Sequence, residues 1–364
     1  MSILLDEGQR AIASQSRRAL DGTVSKDRLL GLLEQQGAFD HGFWDLARAQ
    51  GWPGLAVPEE YGGIGLGLVE MGLVAQATGA ASAGAPFLNT GYGASRALMA
   101  SGNDALRNRW APALATGEAI AAIAFAEGNA PLPLKPSVTF CGGVLDGVKP
   151  GVVAGLQADI AIVWALSEGR PALALVELAN VSREAVASFD NSRGYADVTF
   201  ASTSAMLLAQ GDDARRCARD VLAAMAVVTA HEQVGGAEHL LFVARDYANT
   251  RKAFGQPIGA FQSVKHKIAE LYALVEIARA NCIHAAARDG GGDFLRAAAA
   301  ARISATDAYD TAARDCVQVH GGIGVTWESG LHLHMRRARS LAIEHGNSLF
   351  WEDLLVEQLT GVAP

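Results

Sequence analysis

No stretch of the sequence concentrates positive charge. Its 364 residues include 30 Lys and Arg against 38 Asp and Glu, which gives a net charge of −8. No basic block extends beyond Arg336 to Arg339. Because a nucleic-acid surface needs clustered positive charge, we expect no nucleic-acid partner. An acidic protein that handles small molecules fits this charge balance better.

Long apolar runs and closely spaced cysteines are also missing. No run of eighteen apolar residues occurs, and the N-terminus lacks a basic region followed by an apolar one. We therefore expect no membrane anchor, no export and a cytoplasmic location. The cysteines lie far apart and form no C-x-x-C pair, so neither a zinc site nor a redox pair is indicated, and no metal site is predicted. Reduced, buried thiols are expected at Cys141, Cys217, Cys282 and Cys316.

The first third of the chain has a helical pattern. Apolar residues make up 50% of the sequence, and its length suits two or three domains. From Asp6 to about residue 117, apolar residues recur at helical spacing. Proline and glycine interrupt this pattern between Gly51 and Gly65. No strand–turn–helix unit surrounds these glycines, so they do not predict a dinucleotide-binding domain.

The middle of the chain changes to short apolar runs separated by turn residues. Runs with β-branched content at 120–125, 143–145, 160–165 and 172–176 predict strands, and together they predict a small β-domain or barrel. Leu145 to Lys149 is interpreted as a turn between two such runs. Helical spacing then returns, and glycine-containing breakers separate helices predicted at about 214–249, 261–288, 294–319, 330–344 and from 348.

These patterns predict an α+β multi-domain protein. The predicted parts are an N-terminal all-α domain (residues 1–118), a middle β-domain (119–206) and a C-terminal α-helical bundle (207–364).

One group of residues carries most of the chemical information. Arg251 and Phe254 belong to the run RKAFGQPI, Gln262 follows shortly after it, and Gln318 begins the later run QVHGGIG, which contains Gly321 and Gly322. An arginine offers planar donors to a diphosphate, and a glycine pair lets backbone N–H groups approach phosphate oxygens. Read singly, Arg251 is a solvated helix end, Phe254 a core residue and the glycine pair a tight turn.

Taken together at this spacing, these runs resemble the flavin-binding signature of the acyl-CoA dehydrogenases. The loop from Val57 to Gly65 and the segment from Trp110 to Glu118 resemble the same family. The resemblance implies an α, β, α-bundle architecture and an oligomer, a dimer or a tetramer, with FAD at a subunit interface. It also implies that the neighbouring subunit's FAD is contacted by Arg251, Phe254, Gln262, Gln318, Gly321 and Gly322.

The same resemblance implies an activity. A carboxylate base removes the α-proton of an acyl-CoA thioester, the β-hydrogen leaves as hydride to the flavin, and a trans-2-enoyl-CoA forms. Electron-transfer flavoprotein is the implied electron acceptor. The acyl group is left open as fatty, branched or sterol-derived.

The base is where this sequence departs from the family. The usual glutamate position holds His345, and Glu344 lies one place early. A second subgroup keeps its base on the first long helix of the C-terminal domain, and that position holds Met225. Three readings follow: His345 is the base, a local shift aims Glu344 at the flavin, or this subunit has no active site of its own.

The middle domain favours the third reading. The resemblance places Phe125 and Ala126, together with Asn347, at the flavin, but the family's threonine, serine and tryptophan are absent from this region. The residues that would contact a neighbour's FAD are present, whereas those of the chain's own flavin site are missing. This combination resembles the heteromeric acyl-CoA dehydrogenases of steroid side-chain breakdown, in which one subunit type carries the base and a paralogue completes the cofactor site. The alternative function is therefore a catalytically silent partner subunit.

The segment from Gly324 to Arg337 is similar to a variant found among those bulky-substrate subunits. Within it, His332 and His334 are interpreted as a helix-surface pair, since side chains two residues apart on a helix point to different faces. Trp327 and Trp351 are predicted to be core residues.

Overall fold

The computed structural model describes residues 5–83 and 87–361, and helices fill the first part of the chain. The carboxylate of Asp6 accepts a hydrogen bond from the Gln9 N–H and so caps the first helix. Two short 3₁₀ turns at Trp52–Gly54 and Glu59–Tyr61 occupy the predicted interruption. The helices are α1 (Glu7–Asp21), α2 (Lys26–Glu34), α3 (His41–Ala49), α4 (Leu68–Ala80), α5 (Phe87–Ala100) and α6 (Asp104–Thr116).

The middle of the chain forms a closed sheet, as predicted. Its strands are β1 (Ala121–Ala124), β2 (Thr139–Cys141), β3 (Val144–Val153), β4 (Ile160–Ser167), β5 (Arg170–Glu177), β6 (Ser182–Val186) and β7 (Tyr195–Gln210). The order β4-β2-β3-β7-β5 closes because β5 also pairs with β4. β1 lies parallel to β4, and β6 pairs with β7. Buried side chains fill both sides of this sheet: Ile162 and Leu175 lie on one side, and Ala161 and Val176 lie on the other.

The predicted turn from Leu145 to Lys149 is wrong. These residues lie inside β3, and the turn that joins β2 to β3 is at Gly142 and Gly143, whose φ angles are 58° and 83°. Gly147 pairs with Phe200 of β7, and the β3–β7 ladder has an irregularity between Leu145 and Gly147. The φ angle of Gly147 is 128°. A glycine at a strand bulge was therefore mistaken for a turn glycine.

The last part of the chain is helical, with the predicted breaks. After α7 (Asp212–Thr250) a small hairpin forms from β8 (Lys252–Ala253) and β9 (Gln256–Pro257). It is followed by α8 (Gln262–Ala287), α9 (Phe294–His320), α10 (Leu331–Ile343) and α11 (Ser348–Thr360). The order of helices, barrel and helices is confirmed.

The described residues form two compact units. One contains those of Met1–Leu29, Gly72–Ala83 and Ala226–Pro364, and the other contains those of Leu30–Met71 and Gly84–Met225. The three predicted domains follow the change from helix to strand and back, and their boundaries stay a prediction. Of these domains, residues 1–4, 84–86 and 362–364 lie outside the described residues.

Two expectations from composition have different outcomes. None of the helices in the described ranges has both the length and the apolar character needed to cross a membrane. Cys282 and Cys316 are buried as expected, whereas Cys141 is exposed at the end of β2 and Cys217 is half-buried.

Candidate functional site

The β8–β9 hairpin holds the first part of the predicted flavin signature. Arg251 follows the last residue of α7 and is exposed, and its backbone N–H donates to the Tyr247 carbonyl at 2.8 Å. Phe254 lies at the hairpin tip with φ 50°, and 96% of its side chain is exposed. The alternative that Phe254 is a core residue is therefore wrong. A bare aromatic ring beside an arginine suits a ligand or a partner surface.

Two contacts place the second part of the signature, the run QVHGGIG that begins at Gln318, near the first part. The Tyr247 ring, one helical turn before Arg251, stacks on His320 at 4.0 Å. Lys267 of α8 forms an ion pair with Asp315 of α9 at 3.0 Å. Because His320 lies between Gln318 and the glycine pair, these contacts join the ends of α7 and α9 and the start of α8. Sequence reasoning missed Tyr247, and its only signal was the aromatic position before RKAFG.

The donors in this region suit an anionic ligand. Gln262 at the start of α8 and Gln318 in the last turn of α9 are both exposed. A Cβ atom built on Gly321 or Gly322 would meet no atom within 4 Å, so a ligand can approach the backbone there. Exposed guanidinium and amide groups beside bare glycine backbone fit a diphosphate.

Phe125 and Ala126 belong to the other compact unit, where a buried ion pair holds them. Lys149 is completely buried, and its Nζ donates to the Phe125 carbonyl at 3.1 Å and to Glu127 Oε1 at 2.6 Å. Burial lowers the pKa of Lys149 to about 8, although Glu127 acts to raise it. Burial raises the pKa of Glu127, but hydrogen bonds from Lys149 and Ser137 outweigh it and leave this pKa lowered. Ala126 is exposed next to this anchored carbonyl.

The predicted base positions lie in the connection between α10 and α11. Glu344 ends α10 and is only 4% exposed. His345 is half-buried and adopts the left-handed backbone region, with φ 57°. The Asn347 side chain accepts a hydrogen bond from the Phe350 N–H at 3.0 Å, so it caps α11.

Arg302 of α9 forms hydrogen bonds to the backbone of this connection. Its guanidinium is buried and donates to the carbonyls of Leu341, Glu344 and Gly346. It also donates to Gln233 Oε1 at 2.6 Å. Burial lowers the pKa of Arg302 to about 10, and the negative charge of Glu344 acts against that shift. Glu344 is thus a buried residue whose charge acts on Arg302, which leaves His345 as the more accessible titratable side chain.

Met225, at the second base position, lies on α7 with none of its surface exposed. Its thioether packs at Gly93 of α5 and near Ile123 of β1. This position therefore holds an apolar contact.

Two of the predictions for the segment from Gly324 to Arg337 are wrong. His334 is buried, its Nδ1 lies 2.9 Å from the Tyr309 hydroxyl, and its ring stacks on His239 at 4.8 Å. Trp327 is 47% exposed and stacks on the half-buried His332 at 4.3 Å, so it is not a core residue. Trp351 is completely buried, as predicted. In the parts of the chain that the structure describes, His, Cys, Asp and Glu form no cluster of three that could hold a metal ion.

Comparisons with known proteins agree with this arrangement. The family model for the acyl-CoA dehydrogenase N-terminal domain matches residues 6–118, and the model for the C-terminal domain matches residues 215–359. The chain is 32% identical over 308 residues to acyl-CoA dehydrogenase IpdE2 of Mycobacterium tuberculosis, a match that covers 84% of this chain and 82% of that protein. It is also 32% identical over 302 residues to acyl-CoA dehydrogenase FadE34 of the same organism, covering 82% of this chain and 39% of that protein.

A solved structure shows the same fold. The crystal structure of the ChsE4-ChsE5 complex from Mycobacterium tuberculosis superposes with a TM-score of 0.90 at 23% identity, and the match covers 100% of both chains.

Proposed function

The chain belongs to the acyl-CoA dehydrogenase family, and from that premise we propose that it is one subunit of an FAD-dependent assembly that converts an acyl-CoA thioester to a trans-2-enoyl-CoA. Members of this family are oxidoreductases that act on acyl-CoA. The proposed assembly is cytoplasmic and passes its electrons to electron-transfer flavoprotein.

This chain's part in the assembly is to complete the cofactor site. Arg251 and the exposed amides of Gln262 and Gln318 would bind the FAD diphosphate, and Phe254 would pack against the adenine ring of FAD. The open backbone at Gly321 and Gly322 lets the phosphates approach. FAD, when bound, supplies the hydride acceptor that no side chain can replace.

One observation supports the proposal that another subunit supplies the catalytic base. Neither of the family's two positions for that base holds a carboxylate in this chain. Met225 is an apolar contact, and position 345 is a histidine. The neighbouring Glu344 is buried, with its charge acting on Arg302. We therefore infer a partner subunit without a base of its own, which pairs with a paralogue that carries the glutamate. The similarity in fold to one complex of two different chains supports such pairing.

A second candidate rests on His345. Its side chain occupies the family's base position in a connection that Arg302 fixes at the residues on either side of it. A neutral imidazole accepts a proton near pH 7, and the cation that results would favour the developing enolate. In this case the chain is a complete dehydrogenase.

Anaerobic titration with acyl-CoA thioesters of several lengths separates the two candidates. The chain is purified alone with FAD, and the flavin absorbance is followed during the titration. We expect no bleaching for the chain alone, no change in the His345→Ala or Glu344→Ala variants, and bleaching once a glutamate-bearing paralogue is added. Bleaching by the chain alone that is lost in His345→Ala, with flavin still bound, would establish the second candidate.

A further inference from the structure

The contact between α5 and α7 is closed by one methionine. If Gly93 carried a Cβ atom, that atom would lie 2.5 Å from Met225 Sδ and 3.0 Å from Met225 Cγ. It would also lie 3.2 Å from Ile123 Cγ1. The thioether therefore occupies the space that a side chain at position 93 would need. Only glycine at this position allows Met225 to pack so close to the α5 backbone.

The residues around this contact form one close-packed layer. Ala94, Ala97 and Leu98 of α5 lie in the same buried cluster as Met225, and all three are completely buried. On α7, Val221 is one turn before Met225 and is also completely buried. Phe125, the last residue before the exposed Ala126, belongs to this cluster too. The apolar layer thus extends to Phe125 and Ala126, the segment that the family resemblance places at the flavin.

A catalytic base must lie within hydrogen-bond reach of the proton that it removes. In dehydrogenases that keep the base on this helix, the side chain at the position of Met225 therefore borders the acyl group. Building on the proposed function, we propose that Met225 closes this subunit's own acyl site, so that the acyl chain of the thioester is bound only by the partner subunit. Gly93 and Ile123 are the surfaces against which the methionine seals that space.

Chain-length dependence of binding tests this closure. The probes are S-alkyl-CoA thioethers from ethyl to octyl, which have no acidic α-proton, and coenzyme A is the reference. A buried methylene contributes about fourfold in affinity, which corresponds to about 0.8 kcal/mol. For the chain alone in the presence of free FAD, calorimetry should show one affinity for coenzyme A and all the thioethers. In Met225→Ala the affinity should rise with chain length.

Matched variants keep the test decisive. Met71→Ala removes another buried methionine that lies outside this cluster, and it should leave the thioether series flat at a comparable loss of thermal stability. Met225→Val opens less space and serves if Met225→Ala does not fold. A rise of about fourfold per methylene in the wild-type chain would overturn the closure. A flat series in the folded Met225 variants would overturn it as well.

The outcome for the proposed function is read separately. A wild-type series that rises with chain length, without bleaching of the flavin by reactive acyl-CoA, overturns the closed site and leaves the partner-subunit role standing. Bleaching by the chain alone overturns that role, whatever the thioether series shows.

Discussion

Arg302 is the side chain on which the connection between α10 and α11 depends. In Arg302→Met, three carbonyls lose their donor and the buried charge of Glu344 loses its counter-charge. The expected cost is about 3 to 5 kcal/mol of the free energy of unfolding, measured by urea denaturation. Arg302→Lys should cost less, since it keeps the charge. Arg216→Met, an exposed arginine paired with Asp213, should change the value by less than about 1 kcal/mol.

His231 should make the protein sensitive to acid. Burial lowers its pKa to about 4, below the value near 6.5 that it has in the unfolded chain. The unfolded chain therefore binds the proton first, and the stability that the neutral ring contributes is present above pH 6.5 and lost as the pH falls towards 4. His231→Leu should remove about 2 kcal/mol of the stability difference between pH 7 and pH 5. His266→Leu, at an exposed position, is the control for replacing a histidine by leucine.

At the scale of residues, sequence reasoning found what lies in short runs. Phe254 and Gln318 belong to local motifs, and both are exposed where a ligand could reach them. Lys149 and Arg302 were missed because their partners are distant in sequence, 24 residues away for the Phe125 carbonyl and 42 for the Glu344 carbonyl. Nothing in a single sequence marks which buried cation will meet which carbonyl.

The crossing of α4 and α7 depends on glycine. A Cβ atom on Gly79 would lie 1.9 Å from the Glu232 carbonyl oxygen, and one on Gly235 would lie 1.9 Å from that of Gln76. Gly79→Ala must push the two helices apart, so we expect a loss near the upper end of the about 1 to 3 kcal/mol that overpacking costs. Gly91→Ala on α5 meets nothing within 4 Å and should stabilise the protein by about 0.5 to 1 kcal/mol. Thermal unfolding of both variants checks the contrast.

Helices were the most predictable elements. The ends of α7 and α9 fall within two residues of the predicted ends, because apolar spacing and the glycine breakers agree there. Strands with a polar face were not predictable. β7 was not recognised, because its exposed positions are largely small and polar residues such as Thr199, Ser202 and Ser204, which resemble a loop. Its identity as a strand comes from pairing with β3, β5 and β6.

For the whole assembly, Arg251 is expected to determine how firmly FAD is held. Arg251→Ala should cost about 1.5 to 3 kcal/mol of binding free energy, because a diphosphate charge loses a charge-assisted hydrogen bond. The flavin-to-protein ratio after gel filtration measures the effect. Arg245→Ala, also exposed near the end of α7 but placed over the Phe242 ring, is the matched control and should retain its flavin. An unchanged ratio in Arg251→Ala would remove this residue from the cofactor site.

Apolar side chains near the same residues predict how the assembly and its cofactor are linked. Ile323, which directly follows the glycine pair, is 50% exposed, and Val325, two residues later, is 77% exposed. An apolar surface of this kind suits an interface between subunits. Val325→Asp should weaken association, and because FAD is proposed to lie across two subunits, flavin should be released at protein concentrations where the wild type keeps it.

A dilution series in gel filtration, with protein and flavin absorbance recorded together, measures both effects in one experiment. Leu134→Asp changes a side chain that is 81% exposed in the other compact unit, and it should alter neither property. In Val325→Asp, the loss of flavin and the loss of the assembly should have the same midpoint, because one interface is responsible for both. Dissociated subunits that keep their flavin would contradict a cofactor shared between chains.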